Sequence, residues 1–320
     1  MTTNTEQAPR QRQGLSDFYQ ILDEVKRNPL QKKRIEQFLA SQDDRYWAFA
    51  ERFARMLRAR LLATTPELRE GVNAYQRMCN DFIKEQIYFR RTGHYRHSCE
   101  AHTRNIYKSD ETMTYYMKGL LISFLFWKQH YLLLRFFELR LKSLKPRRFL
   151  EVGVGHGLFS ALTLQAFPEL AAFLVDISST SLNMARLTLV DFGVATERVQ
   201  FLNEDFLTLN NPDGEVDFLI MAELIEHVDH PELYLAKAGS LLRDDGRIYM
   251  TTCANAPAID HVYHFRNVQQ IRRLVGDCGF EIEAEVIIPA SDVPEAIWEP
   301  ELIPISYGAY LKKRGSGGPA

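Results

Sequence analysis

The stretch FLEVGVGHG at residues 149–157 decides the fold of this chain of 320 residues. Its first four residues are typical of a short buried strand, and the glycines at 153, 155 and 157 then allow a sharp turn. The spacing is GxGxG, which is neither the GxGxxG dinucleotide fingerprint nor the GxxxxGK[ST] phosphate loop. The sequence therefore predicts a strand that ends in a ligand-binding turn, without the Lys-Ser/Thr pair that holds a triphosphate.

Two acidic positions follow this turn at informative distances. Asp176 ends the apolar run FLVD, nineteen residues after Gly157. A carboxylate there can accept hydrogen bonds from both hydroxyls of a ribose. Asp205 and Phe206 follow the next predicted strand, where a carboxylate can accept from an adenine amine and an aromatic ring can pack on the base. The three elements together predict an adenosine-containing ligand.

Strand-like and helix-like segments alternate over residues 146–314, which predicts a doubly wound, mostly parallel Rossmann-like sheet with helices on both faces. Such sheets bind ligands beyond the carboxyl ends of their strands. The predicted strands are Phe149–Val154, Ala172–Asp176, Val199–Asn203, Val216–Met221, Arg247–Thr252, Glu281–Ile288 and Ser306–Lys312.

Residues 15–145 carry apolar side chains at helical spacing and predict an all-helical cap domain of five to seven helices. Within it, Gly119–Phe137 is strongly apolar but contains Lys128, His130 and Arg135, so we expect a buried helix and no membrane span. We expect residues 1–14 to be a disordered tail and residues 315–320 a flexible one.

These motifs resemble the class I S-adenosylmethionine-dependent methyltransferases over roughly residues 146–315. LEVGVGHG resembles their first motif, VDIS the ribose-binding motif and EDF the adenine-binding motif, while CGF followed by two strands resembles their final antiparallel hairpin. The resemblance implies S-adenosylmethionine as cofactor and a seven-stranded sheet. It also implies cofactor contacts from Glu151, Gly153, Gly155, Gly157, Asp176, Ile177, Asp205, Phe206 and Glu223.

The segment ELIEHVDHP, residues 223–231, follows the fourth predicted strand at the ligand-binding edge. If Glu223 starts a helical turn, Glu226 and His227 lie on the same side of it. The segment resembles the ExxEHV region of the ubiquinone-type O-methyltransferases, some of which bind a metal through a related set, as the small-RNA 2′-O-methyltransferases do. Three interpretations stay open: a divalent-metal site, a catalytic base at His227 assisted by Glu223, and a loop that only covers the cofactor.

Two further histidines, His261 and His264, follow the fifth predicted strand and are candidates for contact with the methyl acceptor. The segment Tyr88–Tyr116 is rich in Tyr, His and Arg, and a packed core rarely has this composition. We expect it to form a solvated face or to line a substrate pocket, with Arg90, Arg91, Arg96 and Arg104 available to an anionic group. The substrate-binding candidates are Tyr88, Tyr95, Arg96, Tyr107, Tyr115 and Tyr116.

The charge is unevenly distributed: residues 1–147 carry 27 Lys and Arg against 16 Asp and Glu, and residues 148–320 carry 12 against 25. The two parts either attract each other or recruit an anionic partner through the basic one. The leading hypothesis is a methyltransferase for a small anionic or aromatic metabolite, with oxygen or carbon favoured over nitrogen. RNA is less favoured because no RNA-binding module is recognisable, and a non-catalytic cofactor-binding scaffold is a third alternative.

The composition, with 46% hydrophobic and 25% charged residues, excludes a disordered chain, a collagen-like fibre and a disulfide scaffold. The four cysteines contain no CxxC pair, which argues against a zinc ribbon and suggests a reducing compartment. We therefore expect a cytoplasmic protein, and a homodimer is possible.

Overall fold

The computed structural model describes residues 14–209 and 215–315, and its centre is one seven-stranded sheet with the strand order β3-β2-β1-β4-β5-β7-β6. β1 to β5 run parallel, whereas β7 is antiparallel to both β5 and β6. The strands are β1 Arg148–Val152, β2 Ala171–Val175, β3 Val199–Leu202, β4 Val216–Ala222, β5 Leu242–Ala254, β6 Phe280–Pro289 and β7 Ile305–Lys313.

This sheet confirms the predicted fold class. Each of the seven predicted strands is present, and the largest difference is that β5 begins at Leu242 rather than at Arg247. The β6–β7 hairpin is antiparallel, as the resemblance implied. The predicted tails, residues 1–14 and 315–320, lie outside the described residues except for Gly14 and Gly315.

Successive residues of the central strands point to opposite faces, and a separate core covers each face. Phe149 of β1 belongs to the core beneath α7, α8 and α9, while its neighbour Leu150 belongs to the core beneath α10 and α11. These helices are α7 Lys128–Leu144, α8 Leu158–Ala166, α9 Ser179–Asp191, α10 Pro231–Leu241 and α11 Val268–Asp277. Because both faces are covered, the parallel strands are continuous apolar runs.

The N-terminal part is helical throughout the described residues before β1. Its helices before α7 are α1 Ser16–Val25, α2 Pro29–Ala40, α3 Asp44–Ala59, α4 Thr65–Thr92, α5 Glu100–Tyr107 and α6 Asp110–Phe126. The long helix α4 begins at a capping box formed by Thr64 and Glu67, and it ends at Gly93 in the left-handed conformation.

The apolar run Gly119–Phe137 is divided between α6 and α7, which meet at Trp127. The Trp127 N–H closes α6 on Ser123 O at 2.8 Å, and its indole N–H donates to the Tyr75 hydroxyl at 3.0 Å. In the described part of the chain, no helix combines the length and the apolarity that a bilayer crossing requires.

α7 joins the helical part to the sheet. The hydroxyls of Tyr249 and Tyr310 donate to the carbonyls of Leu133 and Phe137 at 3.0 and 2.8 Å, and the Phe137 ring lies 4.8 Å from that of Tyr249. The two parts therefore share an aromatic core. Ion pairs also cross between the oppositely charged parts, at Arg60–Asp191 and Arg104–Asp205.

Candidate functional site

The glycine turn lies where β1 ends, and its geometry explains two of the three glycines. Gly153 and Gly155 have φ values of +66° and +51°, which side chains rarely tolerate. The Gly155 N–H donates to Asp176 Oδ2 at 3.1 Å, so the turn is fixed to the end of β2. Both glycines line a cavity above the sheet edge.

Gly157 has a different role from the predicted cofactor contact. It does not line the cavity, and a Cβ added to it would lie 2.7 Å from Cα of Ala185. With φ at +73°, this glycine allows the start of α8 to pack closely against α9. Its requirement is therefore helix packing, which the spacing of the motif did not distinguish from ligand contact.

Asp176 and Ile177 follow β2 and line the same cavity. The Asp176 carboxylate accepts from the Ser178 N–H at 2.8 Å as well as from Gly155. Burial raises the pKa of Asp176 to about 6, although these N–H groups favour the ionised form. Each carboxylate oxygen keeps a lone pair for a further donor.

Asp205 and Phe206 follow β3 and also line the cavity. Asp205 Oδ1 accepts from the Leu207 N–H at 3.0 Å, and Oδ2 pairs with Arg104 at 2.8 Å. The Phe206 ring is buried and lies 6.0 Å from that of Tyr234. The side chains of two acidic and two apolar residues thus lie at the same edge of the sheet, as predicted: Asp176, Asp205, Ile177 and Phe206.

The cavity has a volume of about 560 Å³ and lies between the helical part and the carboxyl ends of β1, β2, β4 and β5. That volume falls within the range of small-molecule sites. Helices α2, α4, α5, α6 and α7 contribute to its other walls, so residues far apart in sequence form one enclosure.

The segment after β4 departs from the predicted helical turn. Glu223 has φ at +50° and its N–H bonds to Thr251 O and Thr251 Oγ1 at 3.1 and 2.9 Å, so it extends the pairing with β5. Only Ile225–His227 form a short 3₁₀ turn. A strained backbone of this kind is typical of functional sites.

Glu226 is fully buried beneath this turn. Its Oε2 accepts from Thr252 Oγ1 at 2.7 Å, and its carbonyl accepts from the N–H groups of Val262 and Tyr263, both at 2.9 Å. Its Oε1 is buried without a hydrogen-bond partner in the part of the chain that is described. Burial, followed by the nearby Glu223 carboxylate, raises the pKa of Glu226 well above its ordinary value.

The predicted metal set of Glu223, Glu226 and His227 does not converge as one cluster. Among the described residues, ligand atoms of Glu226, His227 and His261 lie within 4.8 Å of one another, and a second group joins Glu223 and Glu226 to Cys253. Glu223 nevertheless lines the cavity.

His227 and His261 are held in the same tautomer. His227 Nδ1 lies 2.9 Å from Asp260 O, and His261 Nδ1 lies 2.6 Å from Ala256 O. Because a carbonyl oxygen only accepts, both Nδ1 atoms carry the proton and both Nε2 atoms are free to accept a proton or bind a cation. Burial lowers the pKa of His261 to about 4, which keeps it neutral.

His264 lies outside the cavity, in contrast to its predicted contact with the methyl acceptor. Its Nε2 lies 2.9 Å from Asn255 Oδ1, and its ring packs between Phe89 and Tyr95. Two residues of irregular loop separate it from His261. No periodicity in such a loop indicates which of two histidines faces inward.

The predicted substrate residues separate into two groups. Tyr107 and Tyr116 line the cavity, whereas Tyr88, Tyr95, Arg96 and Tyr115 do not. Arg96 pairs with Glu85 at 3.0 Å and stacks on Tyr88 at 4.2 Å, while the Tyr115 hydroxyl donates to Asp81 at 3.0 Å. Tyr95 is buried, and its hydroxyl accepts from the Ala256 N–H at 3.1 Å. The polar groups of Arg96, Tyr115 and Tyr95 thus bond to other residues of the protein.

The predicted anion-binding arginines divide similarly. Arg90 lines the cavity, whereas Arg91 and Arg104 do not. Arg104 is held by Glu100 and Asp205 at 2.7 and 2.8 Å. A ligand anion would have to displace two carboxylates to reach it.

Asp260, which was not predicted from the sequence, lines the cavity beside His227. Its Oδ1 accepts from the Tyr116 hydroxyl at 3.1 Å, and its Oδ2 lies 3.5 Å from both the Tyr107 hydroxyl and His227 Nδ1. Its position directly before the candidate residue His261 was the sequence feature that could have indicated it. His130 and His156 also line the cavity, and burial lowers their pKa values to about 4 and about 3.

Part of the chain is similar to known methyltransferases. The methyltransferase-domain family matches residues 126–285, which is half of the chain. The ubiquinone biosynthesis O-methyltransferase of Bordetella avium is 30% identical over 115 residues, covering 36% of this chain and 46% of that protein. The chain thus spans about half the length of the curated relatives it matches.

Two solved methyltransferase structures are similar to part of this chain. The 1,6-didemethyltoxoflavin-N1-methyltransferase of Burkholderia thailandensis is 20% identical, with a TM-score of 0.43 over 57% of this chain and 79% of that chain. An O-methyltransferase from a trans-AT PKS multienzyme of Brevibacillus brevis is 14% identical, with a TM-score of 0.43 over 56% and 72%. On the family match and the sheet topology, the chain belongs to the methyltransferase-domain family of class I S-adenosylmethionine-dependent enzymes.

Proposed function

We propose that this protein transfers a methyl group from S-adenosylmethionine to an oxygen atom of a small molecule. The observation that carries this proposal is that the glycine turn, Asp176 and the two Nδ1-protonated histidines His227 and His261 line one cavity. A cavity walled by helices on one side and a sheet edge on the other suits a small acceptor better than an RNA backbone.

In this proposal the sheet edge holds the cofactor. Asp176 would accept from the ribose hydroxyls, the backbone at Gly153 and Gly155 would hold the amino-acid part, and Asp205, Ile177 and Phe206 would hold the adenine. When bound, the cofactor supplies an electrophilic methyl group, so the chain has to orient the acceptor, exclude water and remove a proton.

His227 is the proposed general base. With Nδ1–H fixed on the Asp260 carbonyl, its Nε2 is the atom that takes the proton of an acceptor hydroxyl. The Asp260 carboxylate, 3.5 Å from Nδ1, stabilises the imidazolium that results. A need for proton removal favours oxygen over an amine, because an amine acceptor only has to arrive neutral.

A divalent metal is a second candidate for the same role, favoured by the cluster of Glu226, His227 and His261. The free Nε2 tautomers and the unpartnered Glu226 Oε1 fit a cation of zinc or manganese type. Such an ion would lower the pKa of an acceptor hydroxyl.

Binding of S-adenosylhomocysteine, measured by calorimetry, tests the proposed function first. We expect saturable binding by the wild-type protein and loss of it in Asp176→Ala, with Asp245→Ala, an exposed acid far from the cavity, as control. Absence of binding to the wild type contradicts the proposal.

Transfer of a labelled methyl group to a panel of phenols and catechols tests the base. We expect His227→Gln to lower turnover roughly 10²–10⁴-fold, as removal of a general base does. His264→Gln, the matched histidine outside the cavity, should keep turnover within about threefold. A His227→Gln enzyme as active as His264→Gln would exclude His227 as base.

Elemental analysis of the purified protein separates base from metal. With a metal, Glu226→Gln, His227→Gln and His261→Gln should each release the ion, and chelation should abolish transfer. Without one, chelation has no effect and His261→Gln retains most activity while His227→Gln does not.

A further inference from the structure

The solvent-exposed residues that line the cavity lie in two places, which we take as its two openings. At the sheet edge, Ile177 and Glu204 are exposed lining residues. On the helical side, the exposed lining residues include Arg34 of α2 and Ile83 and Arg90 of α4. The second opening, which we call the helical mouth, is formed by residues that precede the matched family domain.

Charge differs between the two ends. The carboxylates that line the cavity come from α5 and from the sheet edge, namely Glu100, Glu151, Asp176, Glu204, Asp205, Glu223 and Asp260. The polar side chains that line the helical side within α2, α4 and the start of α7 include Gln31, Arg34, Gln86, Arg90 and Gln129. The helical mouth therefore offers hydrogen-bond donors and positive charge without a lining carboxylate from those helices.

The two arginines of the helical mouth, Arg34 and Arg90, are available to a ligand. In residues 14–209 and 215–315, neither Arg34 nor Arg90 has an ion-pair partner, whereas the nearby Arg96 and Arg77 each pair with a glutamate. Gln86 lies one turn before Arg90, and its Nε2 is buried without a hydrogen-bond partner among the same residues. A buried amide donor without an acceptor is unfavourable unless a ligand completes it.

One face of α4, apolar except at its end, forms a wall of the cavity. Cys79, Phe82, Ile83, Gln86 and Arg90 recur along one face of α4 at helical spacing, a length of about 16 Å at 1.5 Å per residue. The Phe82 ring lies 5.2 Å from Trp127 and 6.2 Å from Tyr116, whose hydroxyl bonds to Asp260. At Phe82 the wall therefore lies beside the Tyr116–Asp260 contact, and it ends at Arg90.

We infer that the methyl acceptor is an amphipathic oxyanion that enters through the helical mouth, with its apolar body on Phe82 and Trp127 and its anionic group between Arg34, Gln86 and Arg90. The inference rests on the proposed function, which it deepens by naming the acceptor class. In the proposed function the cofactor would bind at the acidic sheet edge, so openings of opposite charge would attract the two reactants separately.

A pair of fluorescent probes tests this subsite without knowledge of the acceptor. 1-Anilinonaphthalene-8-sulfonate has an aromatic body and a sulfonate, and N-phenyl-1-naphthylamine has the same body without charge. Both are titrated into the purified protein in the presence of saturating S-adenosylhomocysteine. We expect the wild type to bind the sulfonate more tightly, with an affinity that falls as salt concentration rises.

The variant Arg34→Gln/Arg90→Gln should weaken sulfonate binding by about tenfold or more, as expected for the loss of charge-assisted hydrogen bonds, and change binding of the neutral probe less than twofold. Gln86→Glu should also weaken sulfonate binding alone. The matched control Lys33→Gln/Arg91→Gln removes the same charge from neighbouring exposed positions that do not line the cavity, and it should leave both probes unchanged.

Equal effects on both probes, or equal effects of the control variant, would overturn the subsite. Calorimetry with S-adenosylhomocysteine on the same samples reports the cofactor site separately. Cofactor binding together with failed sulfonate discrimination refutes only the acceptor class, whereas absent cofactor binding refutes the proposed function.

Discussion

The Tyr116 hydroxyl donates to Asp260 Oδ1 at 3.1 Å, and this buried contact joins α6 to the loop after β5. The same loop presents the Asp260 carbonyl to His227 Nδ1 at 2.9 Å. The helical part thus holds the residue that orients the proposed base. A helical insert that preceded the sheet only as a cover would not need this bond.

Tyr116→Phe should destabilise the protein by roughly 1–3 kcal/mol, because a buried carboxylate loses a hydrogen-bond donor. Tyr115→Phe is the matched control: its hydroxyl donates to Asp81 at 3.0 Å in a part-exposed pair, and we expect its loss to cost less than about 1 kcal/mol. Urea unfolding of the three proteins measures the difference. Equal losses for the two variants would show that Asp260 does not depend on Tyr116.

The fold was predictable because the strands are buried on both faces and so form short apolar runs between turn signals. The parallel part of the sheet follows from the alternation with helices, and the edge at which Asp176 and Asp205 meet follows from the sheet. These features depend on local pattern. They need no knowledge of which side chains touch.

The walls of the cavity were less predictable, because they depend on contacts between distant elements. The composition of the segment Tyr88–Tyr116 indicates that its polar side chains need hydrogen-bond partners. It does not indicate which partners they have, namely Glu85 for Arg96 and Asp260 for Tyr116. The sequence did not indicate a ligand-binding role for Arg34, because a single arginine on an amphipathic helix is common. Its significance comes from sharing a cavity with Arg90, which only the packing of α2 near α4 reveals.

Gly157→Ala should be more destabilising than Gly193→Ala. Both glycines have φ near +70°, so each variant incurs about 1–2 kcal/mol for a left-handed alanine. Only at 157 does the added Cβ also meet Ala185, with Cα at 2.7 Å, while nothing lies within 4 Å of a Cβ at 193. We expect an extra loss of about 1–3 kcal/mol from overpacking. Thermal or urea unfolding would refute the packing role if the two losses were equal.

The affinity for S-adenosylhomocysteine should fall in acid. The pKa of Asp176 is raised to about 6 by burial, and ribose hydroxyls donate best to the ionised carboxylate. Affinity should be constant above about pH 7 and decrease by up to about tenfold per pH unit below 6. Calorimetry from pH 5 to 7.5 measures the profile. Asp176→Asn should bind weakly with a flatter profile, whereas Asp191→Asn, at another acid of raised pKa outside the cavity, should keep the wild-type slope.

Glu151→Gln should stabilise the protein at pH 8 and have a smaller effect at pH 5. The Glu151 carboxyl is 2% exposed and bonds to the Ser160 hydroxyl, and burial raises its pKa to about 8. Between the ordinary value and 8, the folded state binds the proton and the unfolded state does not. Stability therefore decreases as pH rises through this window.

A glutamine at 151 keeps the hydrogen bond to Ser160 and has no charge to bury, so its advantage over glutamate should grow from near zero at pH 5 to at least about 1 kcal/mol at pH 8. Urea unfolding of both proteins at pH 5, 6.5 and 8 gives the difference directly. Glu169→Gln, at an exposed glutamate paired with Arg198, should show no such trend. A Glu151→Gln advantage that is independent of pH would mean that the carboxyl at 151 does not retain its proton in the folded protein.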